Sequence, residues 1–209
     1  MKTNNSEPHG GAYEQGIIKN NPSDIQSDKS AKPRDKAKTI VTSGAKNIAL
    51  IAVAAAVITG GKFVIQFIPN VEPVTLLLAL YTCVFGFKRT FVISLIFCAL
   101  DMILYSFSPD VAISYFIYWP LLTVVIKLVN LKKTRSEYIN AFASALMTIL
   151  FGVITSAARS IMTGAPFMEI YLFGLPFFAI HTGANFIIIL FAFKPLLKAL
   201  IRIKAQYNF

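Results

Sequence analysis

The chain has 209 residues and a formal net charge of +10, with 56% apolar and only 14% charged residues. A soluble domain has about 45–50% apolar and about 25% charged residues. This apolar excess excludes a disordered, collagenous or nucleic-acid-binding protein as the main interpretation, despite the positive charge. Polar residues concentrate in residues 1–45. We therefore predict a disordered polar tail over residues 1–45 and an integral membrane domain over residues 46–209.

Six continuous apolar runs follow the tail, and each is a candidate membrane-spanning helix. A spanning helix needs about 20 mainly apolar residues, and β-barrel strands alternate in polarity instead. The predicted fold is therefore an all-α integral membrane protein with six transmembrane helices. The predicted spans, of which the second is short, are residues 47–68, 73–87, 90–107, 111–129, 141–161 and 168–193.

The positions of lysine and arginine predict the orientation of the spans. If the tail is inside, 18 of the 20 basic residues lie on the cytoplasmic side, as the positive-inside rule requires. Both termini are then cytoplasmic, and only Lys62 and Arg159 lie on the outer side. At the C-terminal end, Lys194, Lys198 and Arg202 share one face of a basic amphipathic segment suited to the anionic inner leaflet.

Polar side chains on five of the predicted spans converge on one layer, which extends from the outer third of the membrane to slightly below its middle, where His181 and Asn185 lie. We expect an outward-open cavity with aromatic walls that binds a small molecule. The alternative is a set of structural pairs, such as Asp101 with Arg159 or a hydrogen bond closed by His181. Lys62 and Arg159 favour an anionic group on the ligand, and Tyr115 is expected in the interfacial belt. The candidate binding residues are Lys62, Asp101, Tyr118, Trp119, Arg159, His181 and Asn185.

The connection between the first two spans carries two prolines, which end helices and stiffen turns. Its residues Pro69, Asn70, Glu72 and Pro73 lie above the predicted cavity. The connection is either a gating loop for that cavity or a plain turn with Glu72 in solvent.

Small residues recur every four positions on the first span, at Ala52, Ala56 and Gly60. A stripe of this kind allows helix backbones to approach closely in lipid. The stripe therefore either packs against another helix of the same chain or docks on a separate membrane subunit, and the pattern favours neither.

These features together resemble the substrate-binding membrane subunits, called S-components, of energy-coupling factor transporters. The likeness covers about residues 46–195. It rests on the small-residue stripe, the Pro-Asn-Val-Glu-Pro-Val-Thr loop at 69–75, the Phe-Gly-Phe-Lys-Arg turn at 85–89 and the Gly-Leu-Pro-Phe-Phe-Ala-Ile-His-Thr-Gly-Ala-Asn segment at 174–185.

The resemblance implies a membrane protein that captures a vitamin or related micronutrient outside a bacterial cell. Its partners would be a transmembrane coupling protein and two cytoplasmic ATP-binding subunits, with delivery by toppling of this subunit in the membrane. The resemblance also implies that Ala52 and Ala56, continued by Gly60, dock on the coupling protein. The 69–75 loop would cap the ligand. Residues Trp119, Arg159, His181 and Asn185 would hold it, with Asp101 a weaker candidate.

Other function classes have less support in the sequence. The chain has no phosphate-loop motif, no paired acids, no Cys-x-x-Cys and no membrane nucleophile with a base, so we expect neither an enzyme nor a cofactor or metal. Cys83 and Cys98 lie within apolar runs and are expected to be small core residues. The alternative function is a self-sufficient secondary transporter of a small organic solute, with Asp101 or His181 as proton carrier, although no inverted repeat is evident.

Overall fold

The computed structural model describes residues 33–68, 72–105, 108–132 and 134–207, with side chains from Gly44 onward. The chain divides into two units, Met1–Ser43 and Gly44–Phe209. In the first unit, the backbone of residues 33–43 is helical, although the sequence predicted a disordered tail there. The rest of that predicted tail lies outside the described residues. The division between the units falls next to the predicted domain boundary.

Six α-helices make up the described chain, and each of the six predicted apolar runs corresponds to one helix. All the described regular structure is helical, which confirms the all-α prediction. Prolines in the first turn of the second and fourth helices suit positions where a backbone N–H has no helical partner. The helices are α1 (Pro33–Ile65), α2 (Pro73–Val84), α3 (Phe87–Tyr105), α4 (Pro109–Val129), α5 (Glu137–Thr163) and α6 (Phe167–Tyr207).

The surface and the interior of the second unit suggest association with a membrane. Three described helical segments, Gly44–Ile65, Pro109–Val129 and Glu137–Thr163, are long and apolar enough to cross a membrane. Large apolar side chains such as Phe173 point outward, while polar side chains such as Ser144 lie buried among the helices. A hydrocarbon environment favours this arrangement, because exposed apolar side chains meet lipid tails and polar groups must find partners inside the protein.

Ion pairs at the two ends of the helices show the relative directions of α4, α5 and α6. Arg159 near the end of α5 pairs with Asp110 at the start of α4, at 2.9 Å. Lys194 of α6 pairs with Glu137 at the start of α5, also at 2.9 Å. Successive helices therefore run antiparallel here. We call the end that contains Asp110 and Arg159 the upper end, and the end that contains Glu137 and Lys194 the lower end.

Helix α6 continues well beyond the predicted span. It passes through Pro195 and includes the predicted basic amphipathic segment, which is continuous with the span. A helix tolerates an internal proline when neighbouring groups satisfy the backbone atoms that the proline frees. Lys204 donates a hydrogen bond to the carbonyl oxygen of Val84, in the last turn of α2, at 2.6 Å. This contact satisfies a carbonyl that a helix end leaves unpaired, and it ties the end of α6 to α2.

Two glycines let the ring of Phe178 lie close to the backbones of α5 and α6. A Cβ atom added at Gly152 of α5 would lie 2.8 Å from that ring, and one at Gly174 of α6 would lie 2.6 Å from it. Carbon atoms do not approach so closely without displacement. The packing of α5 on α6 therefore requires a glycine at position 152.

We expect Gly152→Ala to lower the free energy of unfolding by about 1–3 kcal/mol, because the added methyl group overpacks the contact with Phe178. The thermal unfolding midpoint in detergent measures this effect. The matched control is Gly183→Ala on α6, since a Cβ there meets nothing within 4 Å. The control should leave stability unchanged or raise it by up to about 1 kcal/mol. Equal midpoints for the two variants would contradict the packing argument.

Candidate functional site

A buried ion pair joins α1 to α3 in the interior of the second unit. The Nζ atom of Lys62 donates to Asp101 Oδ2 at 2.7 Å and lies 3.4 Å from the hydroxyl oxygen of Tyr115. Lys62 is 8% exposed and Asp101 is fully buried. The ammonium group also lies 5.8, 5.2 and 5.0 Å from the ring centroids of Phe97, Tyr105 and Tyr115. Aromatic faces attract cations, so carboxylate and rings together hold the lysine in place.

An aromatic cluster with Trp119 at its centre lies beside this ion pair. Its members are Phe97, Tyr115, Tyr118, Trp119 and Phe151. Trp119 is 1% exposed. Its ring meets those of Phe97, Tyr115 and Tyr118 edge-on, with centroids 5.7, 5.8 and 4.6 Å apart. Phe151 of α5 contacts Tyr118 at 4.9 Å. Aromatic rings favour such edge-to-face contacts, so the cluster links α3, α4 and α5 through one rigid set of side chains.

A hydrogen-bonded group on α5 and α6 borders the aromatic cluster. The side-chain amide of Asn185 donates to Thr148 Oγ1 at 3.2 Å and lies 3.4 Å from His181 Nε2. His181 and Asn185, one helical turn apart on α6, are both buried. The rings of His181 and Phe151 are 6.2 Å apart. The polar group and the aromatic cluster therefore form one continuous site.

Two buried polar atoms of this region make no hydrogen bond within the part of the chain that the structure describes. Buried polar groups in folded proteins nearly always have a protein or water partner. Leaving one unsatisfied costs about 1–3 kcal/mol. The two atoms can therefore be satisfied by water or by polar atoms of a bound molecule. They are Asp101 Oδ1 and Trp119 Nε1.

The structure brings six of the seven predicted binding residues into this one site and leaves Arg159 apart. The guanidinium of Arg159 donates through Nε to Asp110 Oδ2 at 2.9 Å. Its side chain is 53% exposed at the upper end. Asp101 does not pair with Arg159, because Asp101 binds Lys62 and Arg159 binds Asp110 instead. The six residues in the site are Lys62, Asp101, Tyr118, Trp119, His181 and Asn185.

Tyr115 corrects one expectation of the sequence analysis. We predicted it in an interfacial belt, but it is only 7% exposed and belongs to the aromatic cluster. Its spacing of four residues from Trp119 puts both rings on one face of α4, and that spacing was the available signal. No signal in the sequence indicated that Thr148 belongs to the site, because a threonine in an apolar helix usually donates a hydrogen bond to a carbonyl of its own helix. Thr148 does so as well, donating to Ser144 O at 2.9 Å.

The predicted gating loop is described only from Glu72 onward, and Pro69 and Asn70 lie outside the described residues. Glu72 caps the start of α2 with its backbone in an extended conformation, and Pro73 begins the helix. The carboxylate of Glu72 makes no capping hydrogen bond. The Glu72 side chain is half-buried.

The small-residue stripe lies on the outside of the second unit. Ala52, Ala56 and Gly60 are all exposed, and a Cβ atom added at Gly60 would meet nothing within 4 Å. Ala55 and Ile58, on the other side of α1, are buried in the core. The described helices of the same chain therefore do not cover the stripe.

No protein-family model, curated protein or solved structure matches this chain. Among the described residues, no three His, Cys, Asp or Glu side chains lie together as a metal site would require.

Proposed function

We propose that the chain is the substrate-binding membrane subunit, or S-component, of an energy-coupling-factor-type importer. In this proposal all six helices span the bacterial plasma membrane, both termini are cytoplasmic and the upper end faces outward. The observation that carries the proposal is the division of α1 into two faces. One face presents Ala52, Ala56 and Gly60 to the surroundings, and the other carries Lys62 into the buried site.

The buried site supports a role in binding. Aromatic walls with a few polar atoms are the usual composition of a small-molecule site. Asp101 Oδ1 and Trp119 Nε1 offer one acceptor and one donor without a partner among the described residues. The cluster is therefore suited to a planar, polar molecule of vitamin size, which Trp119 and its neighbouring rings would contact.

The exposed stripe supports a role in assembly. In lipid, helices associate through close backbone packing, and a stripe of small residues permits it. We assign the stripe to a transmembrane coupling protein, which in turn binds two cytoplasmic ATP-binding subunits. The 209 residues contain no phosphate-loop motif, so ATP hydrolysis belongs to those partners. Their conformational cycle would topple this subunit and carry the occupied site from the outer to the inner face.

Purification of the affinity-tagged full chain from membranes of its own host tests this proposal. We expect a second membrane protein and two nucleotide-binding subunits to copurify in fixed proportion, as identified by mass spectrometry. If the chain is isolated without any ATP-binding protein, the proposal is wrong, and the self-sufficient secondary transporter becomes the better explanation.

A further inference from the structure

An apolar groove lies at the lower end of the second unit, between α1 on one side and the ends of α2 and α6 on the other. Its volume is about 370 Å³. The α1 residues that line it extend from Ala49 to Val57, which is about 12 Å along the helix axis. The groove therefore runs along a helix that is long and apolar enough to cross a membrane. Its lining residues include Ala49, Val53, Val57, Tyr81, Phe85 and Ile203.

The walls of this groove are suited to a hydrocarbon chain. Tyr81 is the one lining residue with a polar side-chain atom, and all the others are apolar. Val53 and Val57 expose much of their side chains along its length. Side chains beside an unfilled space lose dispersion contacts, so an apolar chain that fills the groove is favoured. In a membrane, the acyl chains of the lipids are the available apolar chains of this shape.

Basic side chains flank the lower mouth of the groove. On α1, the exposed Lys46 lies one helical turn before Ala49. On α6, Lys204 follows the lining residue Ile203. Its Nζ atom donates to the carbonyl oxygen of Val84 at 2.6 Å, directly beside the groove. An ammonium group has three N–H donors, so Lys204 retains two for a further acceptor.

The charge of the lower end is strongly positive in the part of the chain that the structure describes. Glu137 is the one acidic residue that the described chain places there, and it is paired with Lys194 at 2.9 Å. Lys46 and Lys204 are therefore available to an anion. An apolar groove with a basic mouth matches a molecule that joins an apolar chain to an anionic group.

From this arrangement we propose that the groove binds an anionic phospholipid. One acyl chain lies between α1 and α6, and the phosphate contacts Lys46 and Lys204. The walls accept the chain of any phospholipid, and the two ammonium groups select an acidic headgroup, since basic residues near a membrane surface attract anionic lipids. The inference goes beyond the proposed function, because it requires only that the chain lies in a membrane.

Native mass spectrometry of the delipidated full chain in detergent measures the binding of the first lipid molecule. Dioleoylphosphatidylglycerol and dioleoylphosphatidylcholine have the same acyl chains, but only the first has a net negative headgroup. We expect phosphatidylglycerol to bind about tenfold or more tightly than phosphatidylcholine, in a ratio of one lipid to one chain. Glycerol phosphate carries the anionic group without acyl chains, so an excess of it should not displace the bound lipid.

The double variant Lys46→Gln and Lys204→Gln tests the basic mouth. It should bring the dissociation constants of the two lipids within about threefold of each other. The matched control is Lys127→Gln with Lys132→Gln, which removes two exposed lysines of the lower end that do not line the groove. The control should retain the preference for phosphatidylglycerol. The ratio of the two constants is decisive, because a general loss of structure would weaken both lipids together.

The variant Val53→Trp tests the groove itself, because the indole ring would fill space that the acyl chain needs. It should weaken the binding of both lipids about tenfold. The matched control is Val64→Trp, at another exposed valine of α1 that does not line the groove. This control should leave both dissociation constants unchanged.

Equal binding of the two lipids by the wild-type chain would overturn the inference, as would groove variants that behave like their controls. Displacement by glycerol phosphate would also overturn it, and would indicate a site for a soluble anion. If no first lipid binds saturably, the inference is wrong and a helix of a partner or of a second copy becomes the better occupant. The proposed function stands or falls separately, since it depends on copurification with ATP-binding subunits.

Discussion

Replacing Lys62 with methionine is expected to destabilise the protein by about 3–5 kcal/mol, because it leaves the fully buried carboxylate of Asp101 without its basic partner. For a chain of this length, that loss corresponds to a decrease of roughly 10 °C in the unfolding midpoint. Fluorescence of Trp119 during heating in detergent measures the change, since its ring packs on Tyr115 and Phe97 beside the ion pair. This is the largest stability effect that we predict for a single substitution.

A double variant separates the ion pair from simple loss of packing. Lys62→Met combined with Asp101→Leu removes both charges, so it should recover most of the lost stability. Arg159→Met provides the second control, because the Arg159 side chain is 53% exposed even though its partner Asp110 is buried, so its loss should cost less stability than the loss of Lys62. A double variant no more stable than Lys62→Met alone would contradict the electrostatic explanation.

Placing tryptophan at both Ala52 and Ala56 is expected to abolish copurification of the coupling protein and the ATP-binding subunits. Two indole rings on the stripe would hold a partner helix several ångströms away and so prevent close backbone packing. Both positions are exposed in the chain itself, so folding should be preserved. The expected result is therefore loss of assembly with an unchanged thermal unfolding midpoint in detergent.

The matched control for this variant is Ala99→Trp, at an exposed alanine that belongs to α3 and not to the stripe on α1. It introduces the same side chain into the same kind of surface, and it should leave assembly intact. Loss of assembly in the control, or full assembly in the stripe variant, would show that Ala52 and Ala56 do not form the docking face.

The six helices were predictable because continuous apolar runs and proline-marked connections are local features of a sequence. The depth of Asp101, Trp119 and His181 followed from counting residues along each run. Their convergence in one site could therefore be predicted from the sequence. The end of α6 was harder to predict, because a proline such as Pro195 ordinarily indicates the end of a helix.

The partners of the charged residues could not be predicted in the same way. Depth along a helix is encoded locally, but the choice of neighbouring helix depends on the packing of the whole bundle. Lys62 pairs with Asp101 because their helices α1 and α3 approach each other at that point, whereas Arg159 of α5 meets Asp110 of α4. The expectation of an anionic ligand arose because two basic residues were considered without these partners.

The exposure of the small-residue stripe could not be predicted from the sequence either. The spacing of Ala52, Ala56 and Gly60 fits both packing within the chain and docking on a partner, because both need close backbone approach. All three stripe residues are exposed, while the other side of α1 is buried, and this exposure excludes packing of the stripe against the described helices of the same chain.

The most direct test of the account is the ATP hydrolysis rate of material purified from native membranes on the tagged chain. The account predicts sustained hydrolysis by the wild-type preparation, near-complete loss with the Ala52→Trp and Ala56→Trp double variant, and retention with Ala99→Trp. Hydrolysis that is absent from the wild-type preparation, or equal in all three, would contradict the assignment of this chain as the binding subunit of an ATP-driven importer.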